Sequence, residues 1–140
     1  MFRVVYFDID GTLIRTHGAG VKAFAKAFVD GFDLPDATRH TAFAGRTDRG
    51  LVSDILLENE LKTSEDNIKK FFQYYLKVLS EFLPAGHHSP LPGVCEWLKS
   101  LSALSKPPIL ALLTGNHPQG AQIKLTHFNL WQTFAFGVYG

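Results

Sequence analysis

Three short runs of apolar residues along the chain predict β-strands. Residues 4–7 read Val-Val-Tyr-Phe, and β-branched and aromatic residues of this kind favour strands. Ile9 continues the apolar character until Gly11 and Thr12 break it. Residues 109–113 form a continuous apolar run, which is typical of a strand in the middle of a parallel sheet. Residues 133–139 predict a third strand.

The segment after the first strand has the apolar spacing of a helix. From Gly18 onward, apolar residues recur at intervals of three, four and seven positions, and Gly31 and Pro35 should end the helix. The predicted buried stripe consists of Val21, Phe24, Ala25 and Phe28.

Two more helices are predicted before residue 84. One should be capped by Thr47 or Asp48. The other should start at a capping box formed by Thr63 and Asp66 and should stop before Pro84. The predicted stripes are Leu51, Val52, Ile55 and Leu56 in the first helix, and Ile68, Phe71, Phe72, Tyr75, Leu79 and Phe82 in the second.

The second half of the chain alternates helices and strands. Residues 84–92 form a predicted linker, in which His87 and His88 are interpreted as solvated rather than metal-binding. A helix over residues 93–104 precedes the second strand, and a helix over residues 118–128 follows it. This order predicts an α/β fold with an all-helical module inserted after the first strand.

Composition and charge limit the class of protein. The 140 residues are 46% hydrophobic and 19% charged, which indicates a globular domain rather than a disordered chain. The net charge of +1 favours neither nucleic acid nor an anionic membrane as a partner. No apolar stretch approaches the roughly 20 residues that span a bilayer. A single cysteine, Cys95, fits a reducing compartment, so we expect a soluble cytoplasmic protein.

Two carboxylates, Asp8 and Asp10, directly follow the first predicted strand. Burying a carboxylate at the end of a strand costs free energy unless its charge is offset. Two carboxylates there suggest a metal ion that offsets the charge and an electrophile that a carboxylate can attack. Asp8 can attack phosphorus to form an aspartyl-phosphate, and Asp10 can protonate the leaving oxygen and then deprotonate water. A hard divalent cation, Mg²⁺, would neutralise Asp8 and the phosphate. The alternative, two ordinary turn acids, is disfavoured by the string Asp-Ile-Asp-Gly-Thr.

Polar residues also follow the second predicted strand. The Thr114 hydroxyl and the neighbouring backbone N–H groups of Gly115 and Asn116 can bind phosphoryl oxygens. Ligands of parallel sheets lie at the carboxyl ends of strands, where both polar clusters should meet. Lys124 could keep a nucleophilic carboxylate ionised, although its spacing alone favours a surface lysine on an amphipathic helix.

Taken in order, three motifs resemble those of the haloacid dehalogenase (HAD) superfamily. They are Asp8-Ile-Asp-Gly-Thr-Leu, Leu-Leu-Thr114-Gly-Asn and the downstream Lys124. The helical module resembles the cap of the phosphoglycolate phosphatase and β-phosphoglucomutase branch, and residues 45–48 resemble a loop of those caps. The resemblance implies a Rossmann-like α/β core over residues 1–15 and 85–140, and a helical cap over residues 16–84.

The resemblance also implies roles for these residues. Asp8 would be the nucleophile and a Mg²⁺ ligand, and Asp10 would be the general acid/base, with its backbone carbonyl as a second ligand. The acid at position 10 favours a phosphatase or phosphomutase over a dehalogenase, acting on a small phosphorylated metabolite. The residues expected to bind the phosphoryl group are Thr114, Gly115, Asn116 and Lys124.

Two residues outside the motifs are further candidates for substrate contact. Arg46, in the cap loop, suits a phosphate or carboxylate of the substrate, and pairing with a neighbouring cap acid is an equal alternative. His17 lies just past the first motif at the expected hinge, where contact with the substrate is a weaker alternative.

The resemblance leaves one part of the expected core unaccounted for. Relatives continue into a fourth strand whose acids complete the Mg²⁺ site, whereas no acid occurs here after Glu96. The core should then be incomplete at its C-terminal end, the metal site weak and the first strand an open edge. We expect the chain to be marginally stable, to dimerise through that edge or to belong to a longer protein. A catalytically incompetent fragment and a phosphomutase are the alternatives to a phosphatase.

Overall fold

A computed structural model describes residues 3–85 and 89–140. His87 and His88, and the prediction made for them, lie outside these ranges. The secondary structure elements are, in chain order, β1 (Val4–Phe7), α1 (Ala19–Phe32), α2 (Asp48–Glu58), α3 (Glu65–Phe82), α4 (Val94–Ser102), β2 (Ile109–Leu113), α5 (Pro118–His127), a 3-10 turn (Trp131–Thr133) and β3 (Phe136–Val138).

The three strands form one parallel sheet in the order β1-β2-β3. Val4 lies opposite Ile109, and Ala111 lies opposite Phe136, so β2 is hydrogen-bonded on both sides. The prediction of a central strand from the continuous apolar run is therefore confirmed. Within the described residues, β1 is paired on one side only.

The two faces of the sheet differ in burial. Phe7 and Leu112 point to the face that packs with Leu98 of α4 and Leu125 of α5 in one apolar cluster. Side chains alternate between faces along a strand, and paired residues of parallel strands share a face. The opposite face, called here the open sheet face, carries the exposed residues Val4, Tyr6, Ile109, Leu113, Phe136 and Val138.

The helical insert, formed by α1, α2 and α3, contains a second apolar cluster. Aromatic rings fill its centre, with the Phe71 ring centroid 4.6 Å from that of Phe24 and 4.6 Å from that of Phe28. All three rings are buried. Residues 16–84 contain no strand, as the sequence predicted. In the described residues, no helix is long and apolar enough to cross a membrane.

The predicted stripe of α1 is partly wrong. Phe24 and Phe28 are buried, but Val21 is 45% exposed, and the other buried positions are alanines. Val21 lines a cleft instead of the apolar cluster. The helix also passes through Gly31, where an added Cβ would lie 3.0 Å from the Tyr74 ring, so close helix packing accounts for that glycine.

The start of α3 differs from the prediction by one residue. Ser64, not Thr63, is the N-cap, and its hydroxyl accepts from the backbone N–H of Asn67 at 3.2 Å. The predicted pairing of Thr63 with Asp66 is therefore wrong. Adjacent serine and threonine residues have similar capping preferences, so the sequence could not choose between them.

Candidate active site

Asp8 is the first residue after β1, and its side chain is exposed to the cleft between the sheet and the insert. Within the described residues, its carboxylate makes no hydrogen bond or ion pair. A tight turn follows, in which the N–H of Gly11 donates to the carbonyl of Ile14 at 2.9 Å. Gly11 has a φ of 78°, a left-handed conformation that favours glycine. The turn fixes the backbone on which Asp10 lies.

The Asp10 carboxylate is held by two side chains from the other end of the chain. Nζ of Lys124 lies 3.0 Å from Oδ1 and 2.9 Å from Oδ2, and Nδ2 of Asn116 donates to Oδ2 at 2.8 Å. The Lys124 side chain is only 6% exposed, whereas that of Asp10 is 44% exposed. A buried ammonium requires a charged or polar partner, so Lys124 is not a surface lysine.

Asn116 and Thr114 connect this ion pair to the end of β2. Oδ1 of Asn116 accepts from Lys124 Nζ at 2.7 Å, and its Nδ2 also lies 2.7 Å from Oγ1 of Thr114. The backbone N–H of Asn116 donates to the same Oγ1 at 3.2 Å. Because Oγ1 accepts from both groups, the Thr114 hydroxyl hydrogen is left for another acceptor.

Helix α5 brings Lys124 to the site. Pro118 occupies its first turn, as predicted, and the imidazole Nδ1 of His117 caps it by accepting from the N–H of Gln119 at 3.2 Å. Ala121 and Leu125 are buried on the same face as Lys124, so the helix directs its only buried cation towards the ends of the strands.

A loop of the helical insert meets this arrangement directly. We call residues 45–48, with the sequence Gly-Arg-Thr-Asp, the insert loop, and residues 114–117 the strand-tip loop. The N–H of Asp48 donates to the carbonyl of Gly115 at 2.7 Å, and the N–H of His117 donates to Oδ2 of Asp48 at 2.8 Å. A Cβ on Gly115 would lie 2.4 Å from the carbonyl oxygen of Arg46, so this approach requires glycine.

Asp48 is the site residue that sequence reasoning missed. The sequence predicted only that Thr47 or Asp48 caps α2, and Thr47 does so by accepting from the N–H of Gly50 at 3.1 Å. Because Thr47 is the N-cap residue of α2, the Asp48 carboxylate is not needed for capping and can contact another part of the chain. Its position in a Gly-Arg-Thr-Asp loop was the available signal.

Burial shifts the titration of three groups around this contact. Burial raises the pKa of Asp48, opposed by the His117 N–H and the Lys124 charge. Burial also raises the pKa of Tyr75 well above its usual value, with contributions from the Asp48 and Asp10 charges. The pKa of His117 is lowered by burial, so its imidazole is neutral near pH 7.

The cleft between the two parts of the molecule encloses about 840 Å³. Asp8, Asp10 and Thr114 line it on the side of the sheet, and Phe24 and Tyr75 line it on the side of the insert. This volume is within the range of roughly 300–1,000 Å³ that small-molecule sites occupy. The lining combines acidic and polar groups of the sheet with both aromatic and charged groups of the insert, such as Tyr75 and Arg46.

The two further candidates also line this cleft but differ in their contacts. The Arg46 guanidinium pairs with Asp54 of α2. This contact is the pairing with a neighbouring acid of the insert that the sequence offered as the alternative to substrate binding. Both side chains are about half exposed, so this pair is weak and can be exchanged for a ligand. His17 is exposed and has a φ of 52°, next to Gly18 at 83°, where the chain enters α1.

The donor atoms near the end of β1 match a hard cation. Asp8 offers carboxylate oxygens, whereas both Asp10 oxygens are engaged by Lys124, so the backbone carbonyl is what Asp10 could offer. In the described ranges, no group of three or more histidine, cysteine or acidic residues is arranged so that it could hold a metal ion by itself. Mg²⁺ is commonly held by one or two carboxylates, waters and substrate phosphate, and these residues fit that pattern.

Comparison with protein families identifies the chain. A family model of haloacid dehalogenase-like hydrolases matches residues 5–140. The chain belongs to this family. The resemblance and the α/β fold predicted from the sequence are therefore confirmed. No curated protein sequence matches the chain.

Solved structures of this family share the fold. A predicted phosphoglycolate phosphatase from Haemophilus somnus is 26% identical, with a TM-score of 0.64, over 99% of this chain and 63% of that one. A candidate beta-phosphoglucomutase from Thermotoga maritima is 26% identical, with a TM-score of 0.52, over 99% of this chain and 62% of that one. CbbY from Rhodobacter sphaeroides, solved with phosphate, is 17% identical, with a TM-score of 0.72, over 100% of this chain and 64% of that one. The HAD-like chain thus spans less than two thirds of each.

Proposed function

We propose that this HAD-like chain, or the protein that contains it, hydrolyses a small phosphomonoester through an aspartyl-phosphate on Asp8, with Mg²⁺ as cofactor. The observation that carries the proposal is the contrast between two carboxylates two residues apart. Asp10 is held by Lys124 and Asn116, while Asp8 is exposed in the cleft and has no hydrogen-bond or ion-pair partner among the described residues. A nucleophile needs open access to phosphorus, and a proton carrier needs a fixed position.

In the first half-reaction, an Asp8 oxygen attacks phosphorus and the bond from phosphorus to the leaving oxygen breaks. A proton on the Asp10 carboxyl passes to the leaving oxygen, so the alcohol departs neutral. This step requires the contact between Asp10 and Lys124 to loosen. Lys124 and the Thr114 hydroxyl then turn to the phosphoryl oxygens and offset their negative charge.

In the second half-reaction, water attacks phosphorus and the bond from phosphorus to Asp8 breaks. Asp10 takes the proton from the attacking water, inorganic phosphate leaves, and the Asp8 carboxylate is regenerated. The Asp10 carboxylate paired with Lys124 is the form that this step needs.

The Mg²⁺ ion would be held by the Asp8 carboxylate and the Asp10 backbone carbonyl. When bound, it supplies neutralisation of charge on the nucleophile and the phosphoryl group. Asp10, Lys124 and Thr114 would still have to orient the phosphoryl group and move the proton, because these tasks depend on their own hydrogen bonds.

We further propose that residues 1–15 and 85–140 form the core domain and that residues 16–84 form a cap over it. Two separate apolar clusters support this division, one around the sheet and one among α1, α2 and α3. The substrate would enter between them, with its phosphate at Asp8 and its organic part beside residues of the insert such as Arg46. A cytoplasmic location, expected from the lone cysteine, stays a prediction.

Self-association is a separate proposal. Within the described residues, β1 has one unpaired side and the adjoining open sheet face is apolar, and such edges recruit further strands. We propose that a second copy pairs along β1. Light scattering across a range of concentrations should detect a dimer that is lost in Tyr6→Lys, and a wild-type chain that stays monomeric would contradict the proposal.

The test of the reaction compares Asp8→Asn and Asp10→Asn with the wild type on a generic phosphomonoester with Mg²⁺. Asp8→Asn should abolish turnover, and acid-quenched wild-type protein should carry a phosphoryl group on the peptide that contains Asp8. Turnover by Asp8→Asn would refute the covalent route. A wild-type chain that is inactive at every Mg²⁺ concentration would favour the incompetent fragment, and transferred rather than released phosphate would indicate a phosphomutase.

A further inference from the structure

We propose that Asp48 is a positioning residue that fastens the insert loop to the strand-tip loop. It thereby couples closure of the cleft to the ordering of the backbone that follows Thr114. The contact itself is independent of the chemistry, whereas its effect on phosphate binding rests on the proposed function.

The first argument is the pair of hydrogen bonds that Asp48 makes. Its N–H donates to the carbonyl of Gly115 at 2.7 Å, and its carboxylate accepts from the N–H of His117 at 2.8 Å. One residue therefore joins both ends of the segment that contains Asn116. Since Asn116 in turn holds Asp10 and Lys124, a shift of this segment would reach the catalytic carboxylate.

The second argument is packing on both sides of the contact. The imidazole of His117 stacks on Phe72 of α3, with ring centroids 4.2 Å apart and planes 28° from parallel. On the other side, the backbone of Arg46 approaches Gly115 so closely that a Cβ there would lie 2.4 Å away. The strand-tip loop is therefore held between two elements of the insert, with the Asp48 carboxylate as the polar link.

The third argument is charge. Lys124 is close enough to stabilise the Asp48 carboxylate, whereas Asp10 opposes it. An acid with these neighbours is expensive to bury unless its oxygens are used, and the N–H of His117 uses one of them. A neutral side chain that cannot accept would leave that N–H without its partner, and the loops would separate to hydrate it.

The experiment measures the distance between the insert and the sheet directly. Cys95 is an exposed cysteine on α4, and Leu57 on α2 is 62% exposed, so spin labels at Cys95 and at Leu57→Cys report on the two parts. Pulsed electron resonance should give one narrow distance distribution with Asp48 present. Asp48→Ala should broaden it and shift it to longer distances, and amide exchange at His117 should accelerate by about tenfold or more.

Two further variants distinguish positioning from a general structural effect. Asp48→Asn keeps an oxygen that accepts from His117 and should restore both the narrow distribution and the slow exchange. Asp66→Ala removes another first-turn acid, exposed on α3, and should change neither. Unfolding of each variant, followed by circular dichroism, identifies any variant that fails to fold. If Asp48→Ala fails to fold, the distances and amide exchange of Asp48→Asn decide whether Asp48 has the positioning role.

Activity provides an independent measurement. With a phosphomonoester and Mg²⁺, Asp48→Ala should raise KM by about tenfold with a smaller change in kcat, because closure over the phosphate is weakened. Unchanged distances and exchange in Asp48→Ala would overturn the positioning role whatever the activity. An inactive wild type with the distance changes intact would overturn the proposed function and leave the positioning role standing.

Discussion

The helical insert and the parallel sheet differ in how completely their apolar surfaces are buried. In the insert, Phe24, Phe28 and Phe71 are buried in a cluster closed by α1, α2 and α3. In the sheet, one face packs against α4 and α5, whereas the open sheet face leaves Tyr6 and Phe136 about half exposed. The helices of the insert bury one another's apolar side chains, whereas the described part of the sheet leaves one apolar face exposed. The stability of the sheet should therefore depend more on contacts with neighbouring protein than the stability of the insert does.

The site lies where these two parts meet, and each contributes differently. The sheet supplies Asp8, Asp10 and the strand-tip loop at the carboxyl ends of β1 and β2. The insert supplies the aromatic wall and Asp48. The candidate acids therefore lie on the incompletely covered part, whereas the more completely packed part contributes the residues that face them across the cleft.

The largest loss of stability is expected from a substitution in the closed apolar cluster of the insert. Phe71→Ala should lower the free energy of unfolding by about 3–5 kcal/mol, because it removes a buried ring at the centre of the cluster. Chemical denaturation followed by circular dichroism measures this change. Phe82→Ala on the same helix is the control, since Phe82 is 38% exposed and should cost clearly less. Equal losses would mean that the insert is not a closed cluster.

A smaller loss of stability is expected at Lys124, which lies where the sheet and the insert meet. Lys124→Met keeps the volume of the buried side chain but removes its bonds to Asp10 and Asn116, and should cost about 1–2 kcal/mol of stability. Phosphomonoester turnover should fall much more than stability, since Asp10 loses its orientation. Lys69→Met, on the exposed face of α3, should change both by little. Full activity of the Lys124→Met protein would show that Lys124 has no role in the active site.

The pH dependence of stability tests Asp48. Its pKa is raised in the folded protein above the ordinary value of 3.8, so folded chains bind this proton more tightly than unfolded ones. Its contribution to stability is therefore full below pH 3.8 and is lost as the pH rises through the folded pKa.

Denaturation of the wild type and of Asp48→Asn at a series of pH values isolates that contribution. The free energy of unfolding of the wild type minus that of Asp48→Asn should be greatest at acidic pH and should decrease as the pH rises towards 7. Other carboxylates cancel in the difference. A difference that grows with pH would show that the Asp48 carboxylate is stabilised, not penalised, by its surroundings.

The smallest expected effect on stability is on the open sheet face. Phe136→Lys should lower the free energy of unfolding by about 1 kcal/mol or less, because Phe136 is 45% exposed and loses mainly its edge contact with the Tyr6 ring. Solubility should nevertheless rise and self-association fall, as read from light scattering. A large loss of stability would mean that this face is more completely packed than the described residues indicate.

Much of the fold followed from local patterns. The apolar runs predicted β1 and β2 with the bounds observed, and Pro118 marked the start of α5. The third strand is shorter than expected, since Trp131–Thr133 form a 3-10 turn before it. Helix α4 likewise ends at Ser102. Such ends depend on contacts beyond the local sequence, which periodicity does not report.

The candidate site could be predicted only in part. Asp8 and Asp10 were identifiable because two acids after an apolar strand require a chemical reason. The burial of Lys124 was not predictable, because one lysine on a helix has no pattern of its own until α5 packs on the sheet. Asp48 was missed because its partners, Gly115 and His117, lie far along the chain.

The family, the order of strands and helices, and the acids at the end of β1 could be read from the sequence, because these depend on residue type and local spacing. Which carboxylate is held and which is open depends on the tertiary structure. Lys124 and Asn116 reach Asp10 from more than 100 residues away, at separations of 114 and 106 positions. Contacts of that range are fixed by how the helices pack against the sheet and not by any pattern within a single segment.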